Sequence, residues 1–191
     1  MSIETQFVKL KKRLTPERML MLSGKERYEV SQLLESLEAS IRRERAGESF
    51  LEFSAGVWPA FIEGAHHRSM AKAFERVATG DLKRLMINMP PRMGKSQLTS
   101  WLLPAWIMGR SPDKKIIMAS HTAELAVRFG RMVRNLIGSE EYTQLFPDVS
   151  LTADSKAAGR FDVSGGGEYF SVGVGGAVTG RGADLLVIDD P

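Results

Sequence analysis

The sequence has no cysteine among its 191 residues, and its only histidines are His66, His67 and His121. Disulfide scaffolds, thiolate zinc sites, iron–sulfur clusters and cysteine nucleophiles are thereby excluded, and a histidine-rich metal site has too few ligands. No apolar run reaches the ~18 residues that a membrane span needs, and the N-terminus lacks the pattern of a signal peptide. These absences predict a soluble, intracellular chain with no membrane partner. Neither charge sign dominates: 26 Lys and Arg stand against 23 Asp and Glu, a net charge of +3. That balance is compatible with a polyanionic partner without requiring one. A chain of this length buries about 70% of its unfolded surface, enough for a core without metal or disulfide.

What is present divides into three zones. Residues 1–47 are charged and helix-favouring. Thr15-Pro16-Glu17 reads as a helix start, with Thr as cap and Pro at the first helical position. Val30, Leu33, Leu34, Leu37 and Ile41 then recur at helical spacing, which predicts an amphipathic helix from about Glu26 to Arg45, ended by Gly47. This zone is a packing arm or a partner-binding arm. In the second zone, residues 48–138, a helix over Arg68–Val77 precedes Arg84-Leu-Met-Ile-Asn-Met89, read as a short buried strand. A Pro-Pro-Arg-Met-Gly loop, a helix from Lys95 to Met108, the strand Lys115–Ser120 and a helix opening at Thr122 follow. Helices alternating with strands in this way indicate a parallel α/β sheet with helices on both faces. The third zone is glycine-rich, with eight glycines between Ser164 and Gly182 and short β-type runs such as Tyr169–Val172. Its glycines fit no register of G-x-G-x-x-G, which excludes a dinucleotide fold. The last apolar run, Leu185–Ile188, reads as a buried strand.

The strongest chemical signal is Pro90-Pro91-Arg92-Met93-Gly94-Lys95-Ser96, set between an apolar run and a helix. Backbone N–H groups at a helix start suit the dense negative charge of a triphosphate. Gly94 lets the backbone approach the phosphates, Lys95 reaches the β/γ oxygens, and the Ser96 hydroxyl ligates Mg²⁺. The usual G-x-x-x-x-G-K-[ST] pattern is incomplete, since Met89 occupies the place of its first glycine. Such a loop calls for an acidic residue at the tip of another buried strand, and Leu185-Leu-Val-Ile-Asp189-Asp190 has that form. Asp189 is the candidate magnesium residue. Asp190 is the candidate base that polarises the attacking water, with one methylene less reach than glutamate. Asp-Asp-Pro is also ordinary turn chemistry. Arg181, between two glycines on a tight loop, and Arg92, inside the phosphate loop, are rival candidates for the guanidinium that faces a γ-phosphate.

With these residues the chain resembles the large terminase subunit of tailed bacteriophages, the ATPase that drives viral DNA into a preformed capsid. The resemblance rests on Pro90–Ser96, on Ala119-Ser-His-Thr122 and on Thr179-Gly-Arg-Gly-Ala-Asp-Leu-Leu-Val-Ile-Asp-Asp-Pro191, and it covers about residues 55–191. It implies a P-loop NTPase fold of the added-strand (ASCE) type, a parallel sheet flanked by helices, spanning 51–191 behind a helical appendage over 1–50. It implies ATP and Mg²⁺ as cofactors, nucleotide held by Pro90 through Ser96, metal held by Ser96 and Asp189, and Asp190 in the catalytic acidic position. Arg181 matches an arginine that acts across a subunit interface. The implied partners are viral double-stranded DNA, the portal protein and the small terminase subunit. The working state is a ring of subunits in the cytoplasm of the infected host, not in the mature virion, while this chain alone is monomeric. Asp stands at position 190 where the family usually carries Glu. The coupling motif and the C-terminal nuclease domain do not follow Pro191, so the chain reads as the N-terminal part of a longer protein that does not itself cut DNA.

Two other functions fit the same motifs: a helicase-like nucleic-acid-dependent ATPase, and a non-hydrolysing module that docks on DNA or a portal. Arg128, Arg131 and Arg134 form a stripe on the helix after Thr122, either a solvated face or a contact to DNA phosphates. Trp58, His66, His67 and Arg68 lie at a distance before the loop where related ATPases hold adenine, or they serve as packing. Trp101 and Trp106 are expected in the core.

Overall fold

The computed structural model describes residues 3–190, the side chains of 154–156 excepted. Pro191, which ends the third motif, lies outside the described residues. The chain divides into two compact units, Met1–Arg45 and Ala46–Pro191; the sequence reading placed its boundary at 50.

The first unit consists of α1 (Ile3–Arg13), α2 (Pro16–Met21) and most of α3 (Gly24–Glu48). Thr15 caps α2, its side chain accepting from the Arg18 N–H, with Pro16 at the first helical position as expected. Lys11 pairs with Glu38 at 2.6 Å and Arg45 pairs with Glu4, so α1 runs antiparallel along α3. Of the expected apolar stripe, Ile41 is buried and Leu33 is half exposed.

The second unit holds α4 (Phe50–Val57), α5 (Ala65–Thr79), a π-helical segment (Gln97–Leu102), α6 (Leu103–Arg110), β1 (Lys115–Ser120), α7 (Ala123–Ile137), α8 (Glu140–Leu145), β2 (Leu151–Ala157), β3 (Arg160–Val163), β4 (Glu168–Gly173) and β5 (Leu185–Asp189). Local chemistry sets the boundaries. Ser49, Thr122 and Ser139 cap α4, α7 and α8 by accepting from the N–H three residues on. Gly80 ends α5 at φ +84°, a left-handed conformation that glycine adopts without strain. Phe50, Phe53, Phe74, Trp106 and Tyr142 are fully buried and make edge-to-face contacts, such as Phe50 on Trp106 at 5.5 Å. Each of these aromatics, cut to alanine, removes about 3–5 kcal/mol of stability. The Trp106 indole N–H donates to the Ala46 carbonyl at 2.7 Å, and the Tyr142 hydroxyl to Ala105 at 2.9 Å. Burial raises the Tyr142 pKa.

The five strands form one sheet in the order β2-β3-β4-β1-β5. β1 pairs in parallel with β4 on one side and with β5 on the other, whereas β2–β3 and β3–β4 are antiparallel. The sheet is therefore mixed, not parallel throughout. Its antiparallel part is a meander with turns at Ala158-Gly159 and Ser164–Gly167, too short for the helix that a parallel crossover requires.

Helices were expected on both faces of the sheet, but α7 and the π segment pack on one. That face carries the buried Ile116, Met118, Tyr169 and Val187. Gly130 of α7 sits so close to it that a Cβ would collide with the Ala158 carbonyl and the Ser171 hydroxyl. On the opposite face Leu186 and Ile188 are 55% and 57% exposed. The link from β4 to β5 is glycine-rich and forms no helix, so that connection brings none to the far side.

The strand expected at Arg84–Met89 does not form. Ile87 and Met89 pack on the core, while Leu85 and Met86 are 40% and 84% exposed. The segment belongs to no ladder, and the outer edge of β5 is unpaired among the described residues.

Candidate functional site

The C-terminal ends of β4, β1 and β5 are laced together. The Val174 N–H donates to Ser120 O at 2.9 Å, the His121 N–H donates to Asp190 O at 3.1 Å, and Ser120 stands in register with Asp189. Pairing at these ends puts the two acidic residues where the helix that follows Pro90–Ser96 can meet them.

Asp189 is on the covered face, its side chain 5% exposed. Its Oδ2 accepts from the Ser100 hydroxyl at 3.0 Å, and its main-chain oxygen accepts from the Ser120 hydroxyl at 2.8 Å. Both serines are fully buried. Asp190, one residue on, has φ +46° and a side chain 68% exposed. Lys95 Nζ donates to Asp190 Oδ1 at 2.8 Å and lies 3.8 Å from Asp189 Oδ1. The hydrogen bond to Asp190 is the main reason that the Lys95 pKa is raised above its ordinary value, so the ammonium stays charged at any physiological pH.

The loop has its own geometry. Gly94 has φ +80° and Arg92 φ +65°. Pro91 and Arg92 form a turn that directs the Met93 N–H at the Pro90 carbonyl, and among the described residues no oxygen accepts from the N–H groups of Gly94, Lys95 or Ser96. Three unanswered donors at a helix start suit an anion. The Ser96 hydroxyl likewise has no partner among the described residues, and Pro90, Pro91 and Arg92 line the loop without ion pairs.

His67 braces the loop from α5. Its Nδ1 accepts from the Gly64 N–H at 3.0 Å, which leaves Nε2 as the protonated nitrogen against the loop, where a Cβ on Gly94 would sit 3.2 Å away. Burial, and then the neighbouring His66, lower the His67 pKa, which favours this neutral tautomer. Phe61, Trp58 and Trp101 continue the aromatic cluster, with ring centroids 5.1–5.6 Å apart. Arg68 is tied to Glu63 at 2.6 Å. Trp106 is in the core, as expected, whereas Trp101 is only partly buried.

Arg181 is elsewhere. Its guanidinium lies 4.1 Å above the Phe170 ring and 4.0 Å from the Glu168 carboxylate. Glu168 is in register with Lys115 at the beginning of β1, the end of the strands opposite to Lys95. The structure thus brings Lys95, Asp189 and Asp190 together and does not bring Arg181 to them within one chain. Arg128 and Arg131 are exposed on α7 beside an open groove of about 460 Å³, and Arg134 donates to Asn135 at 3.0 Å.

Sequence reasoning missed the two serines that hold Asp189. The available signal was Ser100 itself, which with Thr99 is one of two polar residues in the run Leu98–Met108. No family model, no curated protein and no solved structure matches this chain.

Proposed function

We propose that the chain is the ATPase motor domain of a phage large terminase subunit, with a P-loop NTPase core, coupling ATP hydrolysis to translocation of double-stranded DNA. The observation that carries this reading is the meeting of Lys95 with Asp189 and Asp190, 95 positions apart in sequence for the outer pair, beside three N–H groups that have no acceptor among the described residues.

The residues fit a magnesium nucleotide. Among the described residues no group of three or more His, Cys, Asp or Glu could hold a metal on its own. An ion between Ser96 and Asp189 has only hard oxygen donors and too few of them, so phosphate oxygens and water must complete its shell, as Mg²⁺ requires. When bound, that ion supplies neutralisation of the charge that develops on the phosphates. In this site the N–H groups of 94–96 hold the phosphate chain and Lys95 exchanges Asp190 for a phosphate oxygen. Asp190, so released, accepts the proton of an attacking water. A guanidinium from Arg92, or from Arg181 of a neighbouring copy, would complete the charge. Portal protein, the small terminase subunit, a ring of copies and the host cytoplasm belong to the same proposal.

Calorimetric titration of ATP with Mg²⁺ tests it. The chain should bind, and Lys95→Ala should weaken binding by at least about tenfold, the worth of one charge-assisted hydrogen bond. Equal binding by the variant would sink the reading. Hydrolysis that rises more than linearly with protein concentration would favour an arginine supplied by a neighbouring copy.

A further inference from the structure

Asp189 is almost fully buried, and a buried carboxylate that lacks hydrogen bonds is costly. Its Oδ2 has one donor, Ser100, on a segment with unusual geometry. Between the loop and α6 the helix is wound in π register over Gln97–Leu102, and the Leu103 N–H reaches back five residues to Leu98 O. Pro104 explains the irregularity. In α register the Ser100 carbonyl would accept from residue 104, but proline has no N–H and its ring clashes with that carbonyl. The wide turn relieves the conflict, and such turns are frequent at functional sites. It also sets the rotational phase of Ser100 about the helix axis. Thr99 cannot substitute for it, because its hydroxyl proton is committed to Lys95 O at 2.8 Å.

We propose that Ser100 is a positioning residue: donation to Asp189 Oδ2 fixes the carboxylate plane so that Oδ1, on the Lys95 side, is the oxygen offered to a divalent cation at the loop. This rests on the nucleotide reading above. Ser120 clamps the main-chain oxygen of the same residue, so only the side-chain torsions of Asp189 remain to be set, and the Ser100 bond sets them. Among the described residues Asp189 Oδ1 has no hydrogen-bond partner, only a 3.8 Å approach to Lys95 Nζ, so it can change partners when a cation arrives.

The test is calorimetric titration of ATP into the full chain, in EDTA and then with Mg²⁺, for the unaltered protein, Ser100→Ala and Ser100→Cys. Far-UV circular dichroism confirms folding. The unaltered protein should bind more tightly with Mg²⁺ than without it. Ser100→Ala should bind ATP in EDTA as the unaltered protein does, yet lose about tenfold of the gain from Mg²⁺, the worth of one hydrogen bond to a charged group. Ser100→Cys, with similar volume and a weak donor, should fall between, and it decides the matter if the alanine variant does not fold. A full Mg²⁺ gain in the folded variants would overturn the role of Ser100 alone. A parallel loss in EDTA would reduce Ser100 to packing. Absence of ATP binding by the unaltered protein would overturn the nucleotide reading and this inference together.

Discussion

The two ends of the central strands carry the same kinds of charge and use them differently. At the beginning of β1 and β5, Lys115 pairs with Glu168 at 3.0 Å, Lys114 with Asp184 at 3.3 Å, and Asp184 accepts from the Lys115 N–H at 2.8 Å. Every carboxylate there is answered by a surface cation, and Arg181 closes the group over Phe170. At the other end, one lysine serves two carboxylates, one of them buried and held by Ser100, beside three N–H groups without acceptors among the described residues. Charges that satisfy one another on a surface contribute little to stability and recognise nothing. A lysine held between partners it can give up, next to unanswered donors, leaves room for an anion.

The sharpest way to separate the two ends is Asp190→Asn. Under the proposed function it removes the proton acceptor and should lower the hydrolysis rate by about 10²–10⁴-fold. Nucleotide affinity should hold or rise, because Lys95 loses its strongest competitor for a phosphate oxygen. A steady-state assay alongside ATP titration reads both. Unchanged hydrolysis would take Asp190 out of the chemistry. The linked expectation concerns pH. The native Lys95 pKa lies above its ordinary value of 10.5, so its stabilising contribution is complete below that value and is lost as pH rises through the higher native value. Asp190→Asn should remove most of that alkaline loss, since the Asp190 hydrogen bond is its largest cause.

Gly94→Ala gives a smaller and purely conformational effect. At φ +80° an alanine costs about 1–2 kcal/mol, and its Cβ would also press on His67 Nε2. Denaturant unfolding should show that loss. Alanine at Gly24, where a Cβ meets nothing within 4 Å and no positive φ occurs, is the control and should leave stability nearly unchanged. Equal losses at the two positions would mean that the loop is not held in this conformation.

How much of this was legible follows from where the determining contacts lie. Thr15-Pro16, Thr122 and Lys115–Ser120 carry local signals, a cap or a compact β-type run, and their elements form at or near the expected residues. Asp189 and Asp190 at the tip of β5, opposite Lys95, were legible because a strand end and a helix start each mark themselves in sequence. The strand expected at Arg84–Met89 failed because an apolar run specifies burial of one side, not the presence of a neighbouring ladder. Arg181 was legible as a residue in a glycine pair but not as a place. Its position depends on how the β4–β5 link crosses the sheet and on Phe170, which lies eleven residues back in the chain. The π segment needed Pro104 and Ser100 to be read together, as one hydrogen bond with no donor.

The mildest test addresses the self-satisfied end. The Asp184 carboxyl is held below its ordinary pKa of 3.8 by the Lys115 N–H first and then by Lys114, and Glu168 below 4.5 chiefly by its hydrogen bond from Lys115. A carboxylate with a lowered native pKa adds stability that is fully present above its ordinary value and is lost as pH falls through the native one. Stability should therefore decline in acid from about pH 4.5 downward as these two groups take up protons. Asp184→Asn should make that decline shallower while costing less than about 1 kcal/mol near neutrality, because the group is exposed and screened by solvent. Urea unfolding at low ionic strength, repeated between pH 5 and pH 3, reads the slope. ATP binding by the same variant should match the unaltered protein, since nothing at this end of the strands reaches Lys95. A variant that unfolds normally in acid yet binds ATP less well would mean that the two ends are coupled through β5, and the contrast between them would have to be redrawn along that strand.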